Sequence, residues 1–147
     1  MGTPDFERPL NDRGKSDAPA MAKRLLKKGE GIELFVSSPA KRAITTCRFF
    51  ADAFEVKEKK IRQVDELYHA STETFYSVIH ELDDDKRSAA VFSHNPGITE
   101  FVNSLTDFKI DNMPTCAIFA VDIKTDSWKN FKKAEKKKRL FDYPKNE

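Results

Sequence analysis

"AAVFSHNPGITE", residues 89–100, decides how this chain is read. A run of apolar and small residues stops at a histidine, and Asn-Pro-Gly follows. Such a run bounded by turn residues predicts a fully buried strand over 88–93, and "PGITEFVNSL" predicts a helix over 96–105. A second stretch, "FVSSPAKRA" (35–43), repeats the order of strand, small polar residue, proline and helix. Ser38 and Asn95 suit helix N-caps. Pro39 and Pro96 suit the first helical position, whose N–H has no partner in any case. Both junctions then lie at the carboxyl ends of strands, where α/β sheets collect ligands. Both helix starts turn unpaired N–H groups toward that edge and favour an anion there. His94 ends one strand, and Arg42 lies one turn into the other helix. A cation there opposes the helix dipole unless an anion faces it, held by the guanidinium fork. Taken alone, these residues point to a phosphate-type anion site.

The 147 residues fit one domain, 1–147, with a proper core. No apolar run approaches the roughly 18 residues that span a bilayer. "MGTPDFERPL" lacks the basic start and apolar core of a signal peptide, so no membrane partner is expected. Cys47 and Cys116, far apart and outside any CxxC motif, suit a reducing cytoplasm. A formal charge of +2 exerts no strong field toward nucleic acid, which is not expected as a partner. The basic run "KKAEKKKR" (132–139) reads as a solvated face between two late strands.

Helix-like and strand-like segments alternate along the rest. Helices are predicted over 15–28, ended by Gly29 and with Pro19 in a first turn or at a kink, over 39–54, and over 72–82. Ala43, Cys47, Phe50 and Phe54 form the inner stripe of the second; Phe75, Val78, Ile79 and Leu82 face inward on the third. Strands are predicted over 32–37, 61–64 and 116–123, with 127–131 and 139–144 as a terminal antiparallel pair. "DDDKRS" (83–88) reads as a loop rather than a metal cluster. The alternation predicts an α/β sheet with helices on both faces.

"DFERPLNDRGKSDA", "SSPAKRA", "LYHAS", "SHNPGI" and "NMPTCAIFAVD" together resemble the SixA-type phosphohistidine phosphatases. These are the compact branch of the histidine phosphatase, or phosphoglycerate mutase-like, superfamily. The resemblance implies a three-layer phosphoglycerate mutase-like fold and a metal-independent, cofactor-free phosphoryl transfer. A nucleophilic histidine takes the phosphoryl group, and water then releases phosphate. A second histidine and two arginines surround the group. His94 matches that second histidine and Arg42 one of the arginines, while Asn95 and Ser37 fall where support for the phosphate is expected. Glu66 and His69 are candidates for the general acid, and His80 is expected to be exposed. The implied partner is a phosphorylated substrate, either a phosphohistidine protein or a small phosphate ester.

One departure stands out. The family's first strand lies inside the sheet and ends in Arg-His, the nucleophile and the second clamp; no such dipeptide occurs here. The chain opens on the segment that follows that motif, so it reads as truncated, with the first central strand missing. Three explanations stay open: a start placed too late, a degenerate member that binds without turnover, or a nucleophile supplied by another residue or chain. The expectation is little or no turnover from these 147 residues.

Overall fold

A computed structural model describes residues 4–146. The Met1 start therefore falls outside the described residues. Helix α1 (Asp12–Lys27) begins three residues before its predicted start, because Asn11 caps it by accepting from the Gly14 N–H at 2.8 Å. That earlier start carries Pro19 beyond the first turn into the helix interior. Gly29, at φ +79°, closes the end, a conformation glycine adopts without steric cost.

Strand β1 (Leu34–Ser37) is followed by α2 (Lys41–Ala53), and β2 (Arg62–Gln63) by α3 (Thr72–His80), which Ser71 caps. Strand β3 (Ala89–Phe92) leads into α4 (Gly97–Leu105); β4 (Ile118–Ile123) and β5 (Lys136–Asp142) complete the set. β1 lies between β2 and β3, parallel to both, with Val36 opposite Val91 and Ser37 opposite Phe92 and Gln63. Alternation along β1 sends Phe35 to one face and Val36 to the other. Phe35 packs with Met21, Leu25, Cys47 and Phe50 of α1 and α2. Val36 packs with Phe75, Ile79 and Phe101 of α3 and α4. The parallel sheet is thus covered by helices on both sides, as βαβ crossovers require.

β4 and β5 form a separate antiparallel ribbon with a bulge at Ala120/Val121. The expected pairing of 127–131 with 139–144 does not occur. Trp128–Asn130 instead forms a short turn, fixed where Asp84 accepts from the Trp128 N–H at 2.9 Å, and β5 pairs with β4. Lys136–Arg139 therefore belong to β5 itself rather than to a face between strands. Arg139 is tied to Glu30 and Asp122. Among the described residues no strand pairing joins β3 to β4, yet Ala90, Phe92, Ile118 and Leu140 all pack against the Phe35 cluster. The free edge explains a second difference: β3, expected to be fully buried, is half-buried along its length.

Candidate functional site

The site forms where β1 and β3 end side by side. The Ser38 N–H donates to the Phe92 carbonyl at 2.9 Å, which aligns the two junctions. Neither uses its polar residue as a helix cap in the expected way. α2 starts at Lys41, with Ala40 in the cap position, and the Ser38 hydroxyl accepts from the Ala40 N–H at 3.2 Å within the turn. α4 starts at Gly97 after a cis Asn95–Pro96 bond. The Asn95 amide donates to the Met113 carbonyl at 2.8 Å, and its oxygen accepts from the Thr99 hydroxyl. For Asn95 the Met113 carbonyl lies eighteen residues away, and for Ser38 the partner lies within the turn, so neither side chain caps its helix. Ser37 is fully buried and donates to the Ser38 carbonyl at 2.8 Å; it stiffens the turn.

Arg42 and His94 come near enough at this edge for the Arg42 charge to act on the His94 ring. Both ring nitrogens of His94 are out of water and have no hydrogen-bond partner among the described residues. Burial first, and then the positive charge of Arg42, hold the imidazole below its ordinary pKa. It is a neutral ring at neutral pH, with one N–H to give and one lone pair to receive. Buried polar groups are as a rule paired, so these two nitrogens are free to meet a water or a ligand.

The 67–71 turn supplies a third wall. It is held against the end of β3 by the Ser93 hydroxyl, which donates to the Leu67 carbonyl at 3.0 Å. His69 takes a left-handed backbone, φ +57°, uncommon for a residue other than glycine or asparagine. The turn delivers His69 to within 5.5 Å of His94, centroid to centroid, and the Tyr68 ring packs beside both, at 4.1 and 5.6 Å. Glu66 points elsewhere: it lines a separate cavity of about 190 Å³ with Arg62, Thr74 and Glu81. His80 is half-buried rather than exposed, because its Nε2 accepts from the Lys132 N–H at 3.3 Å.

Two residues at the centre of the site were not singled out in the sequence, Asp5 and Tyr68. Asp5 opens a single turn of 3-10 helix (Asp5–Glu7). Its carboxylate lies 3.2 Å from Arg42 and 3.3 Å from His69 Nε2 and accepts from the Tyr68 hydroxyl at 2.9 Å. That hydroxyl bond, followed by Arg42, holds the Asp5 carboxyl below its usual range. Burial and the same carboxylate push Tyr68 up, so it stays a donor. No periodicity marks either residue, since both contacts span more than thirty positions.

Asp5, His69 and His94 each offer a ligand atom, all within 4.8 Å of one another, a donor set of the kind that binds a transition-metal dication. The rest of the site argues against one. The carboxylate already faces a guanidinium and a hydroxyl donor, and a dication would sit beside the fixed charge of Arg42. Donors converging on negative oxygen, as these do, suit an anion.

Comparison with known proteins gives the class. Residues 2–75, half of the chain, match the family model described as the histidine phosphatase superfamily (branch 1). The protein belongs to the histidine phosphatase superfamily. Its structure is similar to that of the protein histidine phosphatase SixA complexed with tungstate, with a TM-score of 0.82 at 21% identity over 99% of this chain and 90% of that one. It is also similar to two structures provisionally assigned as phosphohistidine phosphatase SixA. The one from Nakamurella multipartitia has a TM-score of 0.80 at 19% identity, covering 99% and 90% of the two chains. The one from Agrobacterium tumefaciens has 0.79 at 24%, covering 98% and 89%. At these identities the likeness establishes the fold, the phosphoglycerate mutase-like α/β sheet. No curated protein matches the sequence. No helix among the described residues is long and apolar enough to cross a membrane.

Proposed function

We propose that this is a SixA-type hydrolase of phosphohistidine or small phosphate esters, working without metal or cofactor through a phosphohistidine intermediate. The observation that carries the reading is the meeting of Arg42 with an unpartnered, neutral His94 at the carboxyl edge of the parallel strands. Phosphoryl transfer asks little covalent chemistry of the protein; it needs positioning and neutralisation of the equatorial oxygens. Arg42 supplies the charge through its fork, and His94 supplies an N–H aimed at a phosphoryl oxygen. Of the two general-acid candidates, His69 stands at the site and Glu66 away from it. His69, with 60% of its side chain in water, can exchange protons with a leaving group. Two free cysteines fit a cytoplasmic setting.

Under this reading no residue placed at the site takes the nucleophile's role, because no Arg-His dipeptide occurs in the 147 residues. The resemblance places the nucleophilic histidine at the end of an interior first strand. Consistent with room for such a histidine, among the described residues the facing edges of β3 and β4 are not paired with each other and the His94 nitrogens have no partner. The test compares phosphate release by the 147-residue chain with that by a version extended at its N-terminus by a strand ending in Arg-His. The extended form is expected to be faster by about a thousandfold or more, the scale of losing a nucleophile. Comparable turnover by the short form, through a phosphoenzyme, overturns the reading of the nucleophile.

The absence of an Arg-His dipeptide favours a second reading, a phosphate-binding module without turnover. Under it, tungstate binds and no product forms even after the extension. In either case Arg42→Ala is expected to weaken tungstate binding by roughly 10–100-fold, the scale of a charged hydrogen bond. Unchanged affinity in that variant removes the pocket assignment itself.

A further inference from the structure

The donors that make this pocket suitable for phosphate are already engaged, and the group engaging them comes from the chain. Arg42 Nη1 donates to the Asp5 carbonyl at 2.8 Å, and Nη2 reaches the two carboxylate oxygens at 3.2 and 3.3 Å. Tyr68 Oη and His69 Nε2 close on the same carboxylate at 2.9 and 3.3 Å. Three side chains from two different elements thus grip one negative group, with the His94 ring beside it. A carboxylate and a phosphoryl group present similar oxygen edges to a guanidinium fork. They also repel each other, so both cannot occupy Arg42 at once.

The segment that carries Asp5 is lightly held apart from these contacts. The 5–7 turn has no side-chain cap and no buried residue. Phe6 rests edge-on against Tyr68 at 5.0 Å but remains 41% exposed. The Arg8 contact to Asp5 is long, at 3.9 Å, and Arg8 is mostly in water. Firm anchorage begins at Leu10, which is buried. A short stretch with few buried contacts opens at low free energy.

We propose that Asp5 is an internal occupant of the anion site. Its carboxylate holds Arg42, Tyr68 and His69 when no ligand is present, and the 5–7 turn withdraws when a phosphoryl group enters. Asp5 thereby sets which anions are admitted. A phosphoryl dianion, with twice the charge, displaces the carboxylate, while a monoanion of the same size gains little over it. The inference rests on the reading of this pocket as an oxyanion site.

Tungstate and inorganic phosphate, titrated calorimetrically into the wild-type chain, Asp5→Asn and Arg42→Ala, test it. Asp5→Asn keeps the shape of the side chain and removes the competing charge. It is expected to bind both anions about tenfold more tightly than wild type, and Arg42→Ala more weakly. In the wild type, amide resonances of residues 5–7 are expected to shift as tungstate binds. Binding by Asp5→Asn alone also supports the proposal. If wild type binds, Arg42→Ala does not, and Asp5→Asn is no tighter than wild type, the role of Asp5 fails while the pocket stands. If Arg42→Ala binds as wild type does, or none of the three binds millimolar anion, the pocket and the role of Asp5 fall together.

Discussion

His94 sits with both nitrogens unpartnered beside a guanidinium, and its charge state follows from that setting. Because its folded pKa is depressed, the folded protein resists protonation of this ring more than the unfolded chain does. The associated stability is complete above the ordinary value of 6.5 and is lost as pH falls from there through the folded pKa. A histidine NMR titration is therefore expected to place His94 below 6.5 in the free chain and to move it up when tungstate binds, since a nearby anion favours the imidazolium. A His94 pKa unmoved by tungstate contradicts its place in the pocket. Asp5, also depressed, acts in a separate window, below its usual 3.8.

At the scale of elements, the start of α4 is decided by what lies across from it. A Cβ at Gly97 would collide with the Ala70 carbonyl oxygen, a backbone atom of the turn that carries His69. The glycine here serves close approach of the helix start to that turn. Gly97→Ala is expected to destabilise the fold by about 1–3 kcal/mol, the usual penalty for overpacking. A urea titration measures it, and an unchanged midpoint contradicts the close packing. The same neighbourhood explains why Asn95 does not cap. The Thr99 hydroxyl accepts from the Met113 N–H at 2.8 Å while donating to Asn95, so the residues before α4 are bound to the 112–116 loop. Cap preference is a local tendency worth about 1 kcal/mol, and two or three tertiary hydrogen bonds outweigh it.

Across the whole molecule, the C-terminal ribbon packs on the helical layer through Ile118 and Leu140, and Arg24 adds a polar tie. Arg24 of α1 donates to buried Asp142 at 3.0 Å and to the carbonyls of Tyr143, Pro144 and Asn146. Arg24→Ala leaves a buried carboxylate short of its cation. The expected loss is about 2 kcal/mol, below the figure for a fully buried pair because Arg24 is 28% exposed. Thermal unfolding reads it out, and a wild-type melting temperature in the variant contradicts that role for Arg24.

Helix and strand order was legible along the chain because it depends on short-range periodicity. Ala43, Cys47 and Phe50 of the expected stripe are buried, with Phe54 half-buried past the helix end, and the apolar run before His94 forms the expected strand but only half-buried. So was half of the site, since Arg42 and His94 are each set by a strand–proline–helix junction a few residues long. The pairing of β5 with β4, the separation of that ribbon from β3, and the seat of Asp5 in the pocket were not. Each depends on partners tens of residues away, and hydrophobic pattern carries no information about which distant donor a given carboxylate will find.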